Sequence, residues 1–175
     1  FAFEKEVVGT LTKIKVAAAG INAFLGTGYG TANEMGIKIT NADLGLVLYK
    51  NGSASATYAL DASASAQLVG ITGLTLSGTL GVRVNKTGAA VNEHISVNGV
   101  TVDVVFVDGT DLMGFSGSNL TLSIAGFVSL SGSFAFEKEV VGTLTKIKVA
   151  AAGINAFLGT GYGTANEMGI KVTNA

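Results

Sequence analysis

Along most of the chain, apolar and polar residues alternate with a period of two. That is the pattern of β-strands, whose successive side chains point to opposite faces. Leu44, Leu46 and Leu48 fall on one face of such a run. Leu74–Val84, Ser118–Ala125 and Phe127–Glu137 alternate over longer stretches. Turn dipeptides punctuate the runs. Asn51-Gly52 separates Leu44–Tyr49 from Ala54–Leu60. It predicts a two-residue hairpin with Val47 opposite Ala56 and Tyr49 opposite Ala54. Asn98-Gly99 separates Glu93–Val97 from Val100–Phe106, and sets Ile95 and Val97 against Val100 and Val102. Asp108-Gly109 is a third turn signal of this kind.

A fourth hairpin is predicted around Gly9-Thr10, with Glu6 opposite Lys13 and Glu4 opposite Lys15. Each opposite-charge pair contributes about 0.2–1 kcal/mol. Phe1, Phe3 and Val7 then share the other face with Ile14 and Val16. Helix signals are few. Ala17–Leu25 has helical length, but Gly20 interrupts it and no cap precedes it. Gly26–Gly36 reads as a loop. Two-residue loops cannot join parallel strands. The expected fold is therefore all-β and antiparallel, a tandem repeat built as a stacked β-sandwich or an antiparallel β-solenoid. A parallel β-helix is the alternative, although no coil-length period of roughly 20–30 residues supports it.

Phe1–Ala42 recurs at Phe134–Ala175 with a single change, Ile39 to Val172, at an offset of 133 residues. Residues 1–133 form one full period, and 134–175 begin the next. The alternative framing takes 1–42 as the end of a preceding unit and 43–175 as one full unit. A period of this length is large enough to bury a core of its own. Tandem copying points to a structural or adhesive polymer before it points to an enzyme.

Hydrophobic residues make up 48% of the chain and charged residues 13%, against about 25% charged in ordinary domains. Little of the surface is charge-solvated, so neighbouring repeats or abundant Ser, Thr, Asn and Gly must cover it. The net charge of −1 gives no electrostatic case for nucleic acid or an anionic membrane surface. No apolar run has the length of a membrane helix, and four Tyr with no Trp are a poor supply for the aromatic girdles of a membrane barrel. Membrane insertion is not expected. Without cysteine there is neither a disulfide framework nor a thiolate metal site.

The run Ile39–Gly88, followed by Ile95–Gly109 and Phe127–Glu139, resembles repeats of very large bacterial surface proteins, the giant tandem-repeat proteins of the LEPR-XLL and RTX-adhesin kind. The resemblance is most specific in LGLVLY (44–49) with TYAL (57–60), and in GLTLSGTLGVRVN (73–85). It implies export, tandem β-domains and a place at the cell surface or in an extracellular filament. The Gly- and Asp-rich nonapeptides that bind calcium in RTX proteins are absent, so the resemblance carries no calcium site.

Candidate chemistry is sparse. His94 is the one histidine, and the Asn98-Gly99 register places it opposite Asp103, with Ser96 and Thr101 on the same face. A hydroxyl, an imidazole and a carboxylate invite a hydrolase reading, but an exposed strand face gathers such groups by composition alone. Asp108 and Asp111 are the candidate metal ligands. Calcium needs six to eight oxygens, and this turn supplies too few by itself. An Asx turn is the simpler reading. Sequons occur at Asn51, Asn85 and Asn119. Tyr29, Tyr49 and Tyr58 are the candidates for stacking on a sugar.

The expected function is a non-catalytic structural or adhesive module, joined to its neighbours by strand pairing or packing and located outside the cell. The expected partners are neighbouring repeats or subunits, with surface glycans as a further candidate. The residues expected at the junction are Phe1, Phe3, Glu4, Glu6, Lys13 and Lys15, with their copies Phe134, Phe136, Glu137, Glu139, Lys146 and Lys148. A carbohydrate-binding module and a polysaccharide-active enzyme on a β-scaffold are the alternatives. The first needs an exposed aromatic platform and the second an acidic cleft.

Overall fold

A computed structural model describes all residues, Phe1 to Ala175. It is all-β, with every strand pair antiparallel. The strands are β1 (Ala2–Val8), β2 (Leu11–Thr27), β3 (Met35–Asn51), β4 (Thr57–Val69), β5 (Leu74–Asn85), β6 (Val91–Val97), β7 (Val100–Phe106), β8 (Asp111–Ile124), β9 (Val128–Val141), β10 (Leu144–Thr160) and β11 (Met168–Val172). Nine of them form one open meander in the order β1-β2-β3-β4-β5-β8-β9-β10-β11. β6 and β7 form a separate hairpin between β5 and β8. With no parallel pair, the parallel β-helix alternative is excluded.

The hairpin packs over β2, β3 and β4, and is the only second layer. The one substantial core lies between it and the sheet. It comprises Ala17, Val47 and Ala59 from the sheet and Val91, Ile95, Val97, Val102, Val104 and Phe106 from the hairpin. Only 15 of the 175 residues are buried, so most of the sheet has no layer against it.

The alternation predicts the strands, but three local readings are corrected. Ala17–Leu25 is not helical. It lies in β2, and Gly20 takes φ +63 at a β-bulge between Ala18 and Ile21. Asn51-Gly52 does not close a two-residue hairpin. Val47 pairs with Ala59 and Tyr49 with Thr57, leaving residues 52–56 as a longer loop. The reason lies in the neighbouring strand. β3 is bonded to β2 as far as Leu11–Asn51, and the Gly52 N–H donates to the Thr10 carbonyl. Asp108-Gly109 joins no hairpin either. β7 pairs only with β6, so these residues carry the chain back to the sheet. They do so in tight contact with the outward connection: a Cβ on Gly109 would lie 2.2 Å from the Gly88 carbonyl oxygen.

Bulges recur at the middle of the long strands, at Ala18/Ile21, Thr40/Asp43, Gly117/Leu120 and Ala152/Asn155. Polar side chains on adjacent strands receive the displaced amides. The Gly20 N–H donates to Asp43 Oδ1 at 2.9 Å, and the Asn41 N–H to Asn22 Oδ1 at 3.2 Å. The second copy repeats the latter bond between Asn174 and Asn155. Asn22 and Asn41, which make that bond in the first copy, both lie in the duplicated segment.

Candidate functional site

The repeat boundary falls inside a strand. Val128–Ser133 of β9 end the first period, and Phe134–Val141 open the second without a break in pairing. On one side β9 is bonded to β8, from Asp111–Val140 to Ile124–Val128. On the other it is bonded to β10, from Leu144–Val141 to Leu158–Val128. The junction between repeats is therefore ordinary sheet ladder, with main-chain hydrogen bonds on both sides of the boundary strand.

The second-copy junction residues lie on β9 and β10, and the first-copy residues lie on β1 and β2, with Phe1 just ahead of β1. The expected register holds: Glu4 pairs with Lys15 and Glu6 with Lys13, and in the second copy Glu137 pairs with Lys148 and Glu139 with Lys146. The ion pairs differ between the copies. In the first, Lys15 Nζ lies 2.7 Å from Glu4 and Lys13 Nζ 3.2 Å from Glu6. In the second, Lys148 binds both Glu137 and Glu139, while Lys146 sits 3.8 Å from Glu139. Phe1 and Phe3 are exposed on the β1 edge. Phe134 instead stacks at a tilt on Phe115, with centroids 5.7 Å apart.

The difference between the copies originates in Glu93 on β6. Its carboxylate reaches down from the hairpin to Lys13 at 2.9 Å and Lys15 at 3.4 Å. Tyr49 Oη is 3.5 Å away. Burial pushes Glu93 upward, but the hydrogen bond and charge of Lys13 and the charge of Lys15 outweigh it and hold the carboxyl below its ordinary value. The Glu93 hydrogen bond raises Lys13 most, and the Glu4 hydrogen bond raises Lys15 most. Burial, followed by the Glu93 charge, raises Tyr49.

Glu93 was missed as a site residue, although its signal is present. It falls on the same alternating face as Val91, Ile95 and Val97, where a carboxylate needs a cationic partner. Its depressed pKa gives stability that is complete above the ordinary glutamate value and is lost as pH falls through the lower folded value. The raised lysines give stability that is complete below the ordinary lysine value and lost as pH rises through the higher folded values. Hairpin anchorage is therefore flat through neutral pH and declines at both extremes. In acid titrations followed by denaturant melting, Glu93→Gln is expected to reduce the acid decline relative to wild type. An unchanged acid limb would remove Glu93 from this role.

Two further groups fasten the hairpin. Asn85, 1% exposed, donates from Nδ2 to the carbonyls of Ala89 and Asp108 at 3.1 and 3.0 Å. It thereby ties the outgoing connection to the returning one. Arg83 binds Asp61 at 2.8 Å, donates to the Val105 carbonyl at 2.7 Å, and lies over the Phe106 ring. Gly45 allows the close approach. A Cβ there would lie 2.4 Å from Val104 Cγ2.

The other face of the sheet carries an uncharged, largely apolar row, with Lys5 and Lys138 to one side of it. Successive cross-strand partners from β2 to β10 run Ala18, Leu44, Ala62, Val82, Phe115, Phe136 and Val149. The corresponding row on the hairpin face reads Ala17, Gly45, Asp61, Arg83, Gly114, Glu137 and Lys148. No strand packs on the apolar row.

The remaining candidates are dispersed. His94 Nδ1 lies 2.6 Å from Asp103 Oδ1, but both side chains are more than half exposed on the outer face of the hairpin. No hydrogen bond joins Ser96 to His94. Asp108 Oδ1 accepts the Thr110 N–H in an Asx turn, and that bond lowers its pKa. Asp111 pairs with Lys86. Asp108 and Asp111 belong to no group of three or more His, Cys, Asp or Glu side chains placed to hold a metal. Tyr49 and Tyr58 differ by one in register parity on paired strands and face opposite sides, while Tyr29 stacks on Phe24 beyond the bulges. The three form no common platform. Asn85, within its sequon, is buried. No family model, curated protein or solved structure matches the chain.

Proposed function

We propose that the chain is a non-catalytic structural repeat module of a long extracellular array, of the adhesive or filament-forming kind found on bacterial surfaces. The observation that carries this reading is the strand that straddles the period boundary. A sheet bonded through β9 into a second copy can be extended by the same operation without new chemistry. Each period contributes six strands to the sheet, β2, β3, β4, β5, β8 and β9, before β10 repeats β2. The even number returns each copy to the same strand direction, as head-to-tail propagation requires. The partner in this reading is the neighbouring repeat. The resemblance to giant surface proteins supports the extracellular setting.

The test is imaging of chains with increasing numbers of periods. At roughly 4.8 Å per strand, the sheet should lengthen by about 29 Å per period. Separate beads on flexible tethers, or a length that does not grow with period number, would overturn the proposal.

A further inference from the structure

The two copies of the β2 sequence have different surroundings, which makes one a control for the other. Leu11–Thr27 and Leu144–Thr160 are identical, LTKIKVAAAGINAFLGT. In the first copy Ala17 is fully buried, and the Lys13 and Lys15 side chains are 23% and 17% exposed. In the second, every residue from Leu144 to Gly153 is exposed, and the Lys146 and Lys148 side chains are 59% and 44% exposed. Two neighbours make the difference. β3 flanks β2 along its whole length, whereas β11 reaches only the far half of β10. The β6–β7 hairpin covers β2, and nothing covers the equivalent face of β10.

We infer that the exposed face of β9 and β10 is a docking seat for a second β6–β7 hairpin, supplied in line by a following repeat. This rests on the reading of the chain as a repeat module and names the contact that locks one module to the next. The seat already holds the groups that the first hairpin uses. Lys146 and Lys148 correspond to the lysines that receive Glu93, and Ala150 corresponds to Ala17, a member of the core cluster that the hairpin forms with the sheet. Charge complementarity is specific. Glu93 is the acid on the inward face of the hairpin, and it meets a pair of lysines two residues apart. In the second copy those lysines have only Glu137 and Glu139 as partners. The topology fixes the source. The hairpin arises between the fourth and fifth sheet strands counted from β2, and folds back onto the first three strands of its own period. A period beginning at β10 therefore returns its hairpin to β10. The glutamates paired with its lysines lie on the strand that straddles the boundary, so each hairpin is fastened beside the strand that joins the two periods.

The experiment compares the 175-residue chain with the same chain followed by residues 43–133 again. A third chain carries that extension with its added hairpin replaced by a short glycine-rich turn. Amine acylation is followed by mass spectrometry, with cleavage at Arg83, the one arginine of the chain, separating the two lysine pairs. Amide exchange of Met168–Val172 is read in parallel as a report on sheet continuation.

In the 175-residue chain, Lys146 and Lys148 should react faster than Lys13 and Lys15. In the extended chain their rates should fall to those of Lys13 and Lys15, and in the hairpin-less extension they should rise again while amide protection persists. Equal protection with and without the added hairpin would overturn the seat. Protection of the β11 amides with fully reactive lysines would also overturn it, and would leave the continuous-sheet reading standing. No new amide protection in the extended chain would count against both. Protection that grows with the concentration of the 175-residue chain itself would overturn the in-line source in favour of exchange between chains.

Discussion

Ile95→Ala should lower the free energy of unfolding by about 2–5 kcal/mol, the range for truncating a fully buried aliphatic side chain. Ile95 is 0% exposed and sits centrally in the one core cluster, between Val91 and Val97 on its own strand and opposite Val102. Those neighbours are held by the Asn98-Gly99 turn, by Arg83 and by Asn85, so the cavity has little freedom to collapse. The effect is large because the core is small. A two-stranded ribbon is marginal in water unless its apolar face is covered, so loosening Ile95 also loosens the only layer over β2–β4. Val100→Ala is the matched control. Val100 lies at the hairpin tip and is 49% exposed, so its cost should stay within about 0.5 kcal/mol. Denaturant titration separates the two outcomes, a shifted midpoint at unchanged slope for Ile95→Ala and almost none for Val100→Ala. Equal small shifts would mean that the hairpin is not seated on the sheet in solution.

The parts of this fold that are legible in the sequence are those set by local chemistry. Asn98-Gly99 predicts its register correctly, Val97 with Val100 and His94 with Asp103. The turn is bounded on both sides by strands that have no other partner. Gly9-Thr10 also holds its register, and so does its copy Gly142-Thr143, although β9 is bonded on both sides. Asn51-Gly52 fails because its own residues are taken up by the neighbouring strand, Asn51 opposite Leu11 and the Gly52 N–H on the Thr10 carbonyl. Asp108-Gly109 carries the same turn chemistry as the others, but nothing within its own segment states that β8 pairs with β5 and β9. That is a long-range choice.

The junction residues follow from the duplication, but their electrostatics do not. Glu93 lies 80 residues from Lys13, and only the fold brings them together. The mid-strand bulges were likewise partly legible. Gly20 stands out as a break in an apolar run, but its meaning depends on Asp43, a residue on the next strand whose carboxylate accepts the displaced amide.

The chain is expected to self-associate through its apolar face, and Phe115→Lys together with Phe136→Glu to leave a species that sediments near the chain mass of 17.6 kDa. The two rings are direct cross-strand partners in the uncharged row from Ala18 to Val149, and they are 39% and 37% exposed. Val149, the next partner in the row, is 76% exposed. A row of this width with no layer against it is well suited to a second sheet of the same kind at about 10 Å, the ordinary spacing of stacked sheets. The hairpin face is a poor candidate for the same contact, because its row carries Asp61, Arg83, Glu137 and Lys148. Fully burying a phenylalanine contributes about 1.5–3 kcal/mol. With about two-fifths of each ring left to bury, loss of two from one face removes about 1–2 kcal/mol, or about one to two powers of ten in association constant. The opposite charges chosen for the variant form a cross-strand pair, which keeps the strand pairing favourable. The fold can therefore persist while the association is lost. Sedimentation velocity over a concentration series reads the association, and the denaturation midpoint reads the fold. A wild-type chain that stays monomeric throughout the series would show that the apolar face has no second copy as its partner. So would a variant that assembles as strongly as the wild type.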